Sequence, residues 1–318
     1  MMLNADSDTD PFTDSMNKFV TTTTNNPSVN LALEETFFNE LSSDVIVYMW
    51  QNKNTIVIGN NQNSFLECNI PACKQDKVKI VRRMTGGGAV FHDMGNLNFT
   101  FVFNTDQYKI DTFLNIIVKS LNDLGISNVE SQRNDLIVNG KKFSGHAYYL
   151  EDNRFLFHGT LLINSDLNKL TKYLTPSVTK LKNKGIDSVR KRVVNLSEIT
   201  DVSIQSMIDQ IRINCKAVFP DMKEESYDNS YTSKLSEKYS DLKLLTKGNP
   251  HGQLRLDIKT SLGNFSLLVS TNEDLITGIE IYSDALKRLD YTKFIAEHID
   301  QPYDETKLKD DFEKSFNC

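Results

Sequence analysis

Apolar and polar residues alternate with a strand-like period on both sides of one glycine-rich block. Val78 to Val81 leads into Arg82-Arg83-Met84-Thr85-Gly86-Gly87-Gly88-Ala89-Val90-Phe91-His92-Asp93, and Asn96 to Phe103 alternates again after it. Met16 to Thr21 predicts a first strand. Asn26-Pro27 signals a helix start, with Val29, Leu33, Phe37 and Leu41 on one helical face. Val45 to Trp50 and Thr55 to Ile58 read as two strands joined by the polar turn Gln51 to Asn54, an antiparallel hairpin. Asp111 to Leu124 and Ser203 to Phe219 carry helical stripes, closed by Gly125 and Pro220. Asn139-Gly140 is the strongest hairpin signal, and Phe155 to Ile163 is a further strand. Three short strands (253–258, 265–270 and 276–282), a helix from about Asp284 and a C-terminal helix complete the pattern.

The three C-terminal strands with their two helices predict a small α+β unit. At 318 residues there is chain enough for two units, and the polar stretch 221–250 is the natural boundary. Residues 1–16 are acidic, polar and aperiodic, and are expected to be a disordered extension. The division is then 17–235 for the larger domain and 236–318 for a smaller α+β one. A net charge of −6 argues against a general nucleic-acid binder. No apolar run is long enough to span a bilayer, and no signal-peptide pattern opens the chain, so a cytoplasmic protein is expected. Four scattered cysteines favour neither a disulfide framework nor a structural zinc.

Three successive glycines let backbone N–H groups approach a ligand, and guanidinium forks beside them suit a carboxylate or phosphate. No helix pattern follows the block and no Walker sequence occurs, so a nucleotide would be bound by another geometry. Just past the Asn139-Gly140 turn, Lys142 shares a strand face with Ser144 and His146 by the two-residue period. Lysines at turns are commonly solvated, and a lone strand histidine such as His158 is commonly a core residue. Lys180 to Arg192 gathers six cations around Gly185, a self-repelling cluster unless an anion sits there or the loop is solvated.

Taken together these stretches resemble lipoate–protein ligases that use free lipoate and ATP. The matching residues are Arg82 to Asp93 with Gly95-Asn96, Arg133 to Leu136, Lys142 to Gly145, His158 to Leu161, and Lys184 to Ile186 with Ser188 to Arg190 and Arg192-Val193. They occur in the family's order across roughly residues 17–220. The resemblance implies an α/β (α+β) fold, with a mixed-sheet catalytic domain like that of biotin protein ligases and class II synthetases and a small α+β accessory domain after it. It implies activation of lipoate by ATP to lipoyl-AMP with Mg2+, then transfer to a lysine of lipoyl domains of 2-oxoacid dehydrogenase complexes and of the glycine cleavage H protein. Lys142 takes the catalytic position. Arg83, Gly88, Ala89, Val90, Phe91, Asn134, Asp135, Lys142 and Lys184 take nucleotide positions, Asp135 also being metal-proximal. Arg82, Gly86, Gly87, His92, Lys142, Ser144, Gly145, His158 and Gly159 take lipoate positions. Trp50, Val57, Met84 and Phe91 are candidates for an apolar tunnel. The alternative is an ATP-independent lipoyl or octanoyl transferase, whose relatives use a cysteine nucleophile; none lies in these motifs.

Overall fold

The computed structural model describes residues 17–41, 45–174, 192–228, 230, 234–241, 254–272 and 275–316. The extension expected over residues 1–16 and the basic cluster from Lys180 to Lys191, Lys184 included, lie outside the described residues.

Strand β1 (Lys18–Thr22) leads to helix α1 (Pro27–Asn39), which Asn26 caps by accepting from the Ser28 N–H. Then come β2 (Ile46–Trp50), β3 (Thr55–Ile58), the short helices α2 (Ser64–Glu67) and α3 (Ile70–Gln75), β4 (Lys79–Arg82), β5 (Val90–His92) and β6 (Asn96–Asn104). Helix α4 (Ile110–Asp123) precedes β7 (Glu130–Gln132), β8 (Asp135–Val138), β9 (Lys141–Glu151) and β10 (Arg154–Leu162). Helix α5 (Leu167–Tyr173), α6 (Ile204–Val218), β11 (Lys223–Tyr227) and α7 (Lys234–Ser240) follow. The C-terminal unit holds β12 (Leu254–Thr260), β13 (Gly263–Asn272), β14 (Leu275–Ser283), α8 (Thr292–His298) and α9 (Glu305–Phe316).

Among the described residues the main sheet has the order β11-β1-β2-β6-β10-β9-β8-β7, with β1 parallel to both neighbours and the rest antiparallel. Its two faces bury different cores. Val47, Met49, Phe99, Phe101, Phe103 and Phe157 pack under α4 and α6, whereas Ile46, Tyr48, Trp50, Val102 and Leu156 pack against α1 and α7. A small sheet β4-β3-β5 carries the glycine-rich block between β4 and β5, and the third sheet is β12-β13-β14.

Three expectations are corrected. Strands β2 and β3 are not a hairpin: β2 has both edges occupied by β1 and β6, and β3 pairs with β4 and β5 in another sheet. Both runs are buried throughout, as interior strands are. The helix expected from Asp284 begins at Thr292, because Asp284 accepts from Asn264 N and Nδ2 and the following chain runs beside the glycine loop. The shared face of Lys142, Ser144 and His146 is broken by a bulge: Leu136 pairs with Ser144 but Ile137 with Lys142, leaving Phe143 as the extra residue. Helix α7, which the 235/236 division would cut, packs on α1: Ser28 Oγ donates to Tyr239 O, and Lys238 pairs with Glu35 at 2.7 Å.

Candidate active site

A cavity of about 420 Å³ lies on the α1 face of the main sheet. Its floor is Trp50, Asn98, His158, Thr160 and Gly145 from four adjacent strands; its roof is Leu31, Val57, Arg83, Gly87 to Val90 and His92. Arg133, Asn134, Asp135 and Lys142 close one end, and the β12–β13 turn with Asp284 and Leu286 covers it from the C-terminal unit. The floor is unusual for central strands. Asn96, Asn98 and Thr100 of β6 are at most 1% exposed, where Phe99 and Phe101 on the other face form core.

The paired arginines organise the glycine loop. Arg83 is 6% exposed; its Nε donates to Thr85 Oγ1 (2.9 Å), Nη1 to Val57 O (3.1 Å) and Nη2 to Gly88 O (2.9 Å). Arg82 Nη1 donates to Gly59 O (3.1 Å) and Asn60 O (3.0 Å), outside the cavity. Burial pulls both down to about 10, well above neutrality, so both stay cationic. The forks read from sequence as anion receptors hold main-chain carbonyls instead. Gly87 adopts φ +89°, which favours glycine, and its N–H donates to Ala285 O (3.3 Å), joining the loop to the C-terminal unit.

Asn139 and Gly140, at φ 51° and 71°, make the tight turn between β8 and β9 that aims Lys142. Its Nζ lies 2.7 Å from Asp135 Oδ1, with both side chains near 40% exposed at the cavity's open end. The ammonium passes over Gly145, where a built Cβ would stand only 2.8 Å from it. Residues 192–194 fasten this strand from outside: Lys142 N donates to Arg192 O and Val194 N to Lys142 O.

Deeper in, His158 Nδ1 donates to Glu34 Oε1 (2.8 Å), which also accepts from Thr100 Oγ1 (2.6 Å). His158 Nε2 meets Thr85 Oγ1 at 2.9 Å, and Trp50 Nε1 donates to Thr100 Oγ1 (3.0 Å). One buried carboxylate thus ties helix α1, two sheet strands and the glycine loop together. His92 is 3% exposed and burial, with Arg83 adding to it, pushes its pKa down to about 3. The unfolded chain binds a proton near 6.5 that the native ring refuses, so stability falls as pH drops from about 6.5 towards 3. The expected slope is about 1.4 kcal/mol per pH unit well inside that window. Urea unfolding at pH 7.5 and 5.0 checks this: wild type should lose stability on acidification and His92→Phe should lose less, whereas parallel losses would contradict it.

The structure brings Arg83, Gly87, Gly88, Ala89, Val90, His92, Asn134, Asp135, Lys142, Gly145, His158 and Gly159 to one cavity. Arg82 and Gly86 line a neighbouring cleft with Met84; Phe91 packs in the core beneath β3, and Ser144 is 1% exposed away from the cavity. Sequence reasoning missed Glu34, Thr85, Asn98, Thr160 and the β12–β13 turn. Glu34 breaks the apolar face of α1, and Asn96-x-Asn98-x-Thr100 sets polar residues on an interior strand; both signals were in the pattern.

The chain matches the Lipoyl protein ligase A/B catalytic domain over residues 26–215. It is 38% identical over 284 residues to lipoate-protein ligase A of Bdellovibrio bacteriovorus, spanning 82% of this chain and 81% of that one. It is 48% identical over 182 residues to lipoate-protein ligase A of Blochmanniella floridana, spanning 56% and 54%. The crystal structure of P. falciparum LipL1 in complex with lipoate superposes with a TM-score of 0.74 at 28% identity, covering 94% of each chain. With the glycine loop, the Lys142 hairpin and His158 all inside the matched span and most of both chains aligned, this protein belongs to the lipoate–protein ligase family.

Proposed function

We propose that this protein activates free lipoate with ATP to lipoyl-AMP and transfers the lipoyl group to a lysine of acceptor lipoyl domains. The observation that carries the reading is the polarity of the cavity: Lys142 stands at one end, while Trp50, Leu31 and Val57 line the other. That arrangement suits an acyl chain with an anionic head. In the first step a lipoate carboxylate oxygen attacks the α-phosphorus and pyrophosphate leaves. In the second, the acceptor amine attacks the acyl carbon, AMP leaves, and the amine loses a proton. Lys142 faces the charge that develops in both steps, and the N–H groups of Gly88 to Val90 supply further fixed donors.

Asp135 and Asn134 fit a Mg2+ that is held mainly by phosphates and water. Among the described residues no group of three ligating side chains forms a cage, and Mg2+ uses one or two carboxylates in such sites. The ion would neutralise phosphate charge; Asp135 itself holds the Lys142 ammonium in place. The acceptors proposed are the lipoyl domains of 2-oxoacid dehydrogenase complexes and the glycine cleavage H protein. A cytoplasmic location belongs to the same proposal, and among the described residues no helix is long and apolar enough to cross a membrane. The C-terminal unit from Leu254 onward is proposed as an accessory cover for the catalytic domain.

Among the described residues the thiols disfavour the ATP-independent cysteine route. Cys68, Cys73 and Cys215 are buried and outside the cavity, and burial raises each pKa, Cys215 to about 12. Mass spectrometry of an apo lipoyl domain incubated with enzyme and free lipoate tests the proposal. Lysine lipoylation should require ATP; equal modification without nucleotide, or from an acyl-carrier donor alone, would favour the transferase.

A further inference from the structure

His92 closes the end of the cavity remote from Lys142. Its ring stands edge-on to Trp50 with centroids 6.1 Å apart, and Leu31, Val57 and Val90 line the same end. Trp50 lies opposite Asn98, Asn98 opposite Thr160, and Gly145 N donates to Thr160 Oγ1. The two ends are therefore three strand spacings apart, about 14 Å. On the function proposed above, a carboxylate held at Lys142 sends its acyl tail towards His92.

A chain of buried amides fixes which nitrogen of that ring carries the proton. Tyr48 O–H donates to Asn30 Oδ1 (2.9 Å), Asn30 Nδ2 donates to Asn52 Oδ1 (2.9 Å), and Asn52 Nδ2 donates to His92 Nδ1 (3.3 Å). Asn30 is oriented by further donation to Gln51 O (2.8 Å), and all four residues are at most 3% exposed. With its oxygen engaged, Asn52 offers the ring only N–H groups, so Nδ1 accepts and the proton sits on Nε2. The charged or titratable groups facing the ring are Arg83 and His158, with Glu34 behind His158. Nε2 is buried, and among the described residues it has no partner. A buried N–H donor left unpaired in an apolar pocket is costly, which marks it as a group waiting for an acceptor on the ligand.

We infer that Asn52 is a positioning residue for substrate specificity, holding His92 as an Nε2–H donor that meets a dithiolane sulfur and so favours lipoate over octanoate. Sulfur is a weak acceptor, but the methyl terminus of a plain fatty acid is none and leaves the donor unpaired. The two acids share head and chain length, so the contact acts on their ratio.

Asn52→Asp tests this on the full-length protein. A carboxylate there accepts from Nδ1–H, which favours the Nδ1–H tautomer and leaves Nε2 without its proton. Ring-nitrogen NMR of histidine-labelled protein should show Nε2–H in wild type and Nδ1–H in the variant. The ratio of kcat/KM for lipoate to that for octanoate in ATP–pyrophosphate exchange should fall roughly three- to tenfold, the range of one neutral hydrogen bond. His92→Phe, which keeps the ring shape without nitrogens, should lower the ratio similarly and covers the case in which Asn52→Asp does not fold. An unchanged ratio with both acids slowed equally, or an Nδ1–H tautomer in wild type, would overturn the inference. Wild type that activates neither acid would overturn the ligase reading and the sulfur contact together, while the tautomer is read without any substrate.

Discussion

Replacing Lys142 by alanine is expected to slow both lipoate adenylation and transfer from supplied lipoyl-AMP by about 10²–10³, or about 3–4 kcal/mol of transition-state stabilisation. The ammonium is carried by a strand immediately after a two-residue turn, braced by residues 192–194 and held by Asp135 at 2.7 Å. Such preorganisation is what makes one donor count in a rate. The fold should survive, since the side chain is 40% exposed and its ion pair lies at the surface. Lys141→Ala removes an exposed lysine that does not line the cavity and should be nearly silent. Single-turnover rates for the two steps, with circular dichroism melting as the fold check, decide the matter. Near-normal rates in the Lys142 variant, or a crippled Lys141 variant, would show that another group does this work.

Glu34→Ala is expected to destabilise the protein by about 3 kcal/mol or more. The 1%-exposed carboxylate accepts from His158 and Thr100, and truncation leaves two buried donors without an acceptor, each costing about 1–3 kcal/mol. A cavity in α1 adds to this. Glu34→Gln keeps an oxygen for the two donors and should lose much less. Urea titrations of wild type and both variants measure the difference; equal costs for alanine and glutamine would mean that the bonds contribute little and packing alone is lost. Because His158 in turn touches Thr85 of the glycine loop, the alanine variant should also show weaker lipoate binding.

The long helices were legible because each buries one face with a helical period, and most strands because apolar or alternating runs of strand length are bounded by turn residues. The Asn139-Gly140 turn and the Asn26 cap were legible because their chemistry is local. What was not legible is non-local. Nothing within Val45 to Ile58 says that β2 has both edges occupied by β1 and β6, so proximity alone suggested a hairpin. The bulge at Phe143 depends on pairing with β8 and moves Lys142 off the face of Ser144. Asp284 takes the chain out of helix through Asn264, on a different strand. In the site, Lys142, His92, His158 and the glycine loop were found from motif order, whereas Glu34 and Asn52 act through partners far along the chain. The arginine pair shows a further limit: residue type correctly marked the loop, but only geometry reveals that the guanidiniums grip carbonyls.

Lipoate-dependent exchange of labelled pyrophosphate into ATP tests the central claim most directly, because it reports lipoyl-AMP formation with no acceptor protein present. The account predicts exchange that needs both lipoate and Mg2+, stops with EDTA, and falls by about 10²–10³ in Lys142→Ala. Robust lipoylation of an acceptor domain by the same preparation with no exchange under any condition would contradict it, and would make the cavity a transfer site rather than an adenylating one.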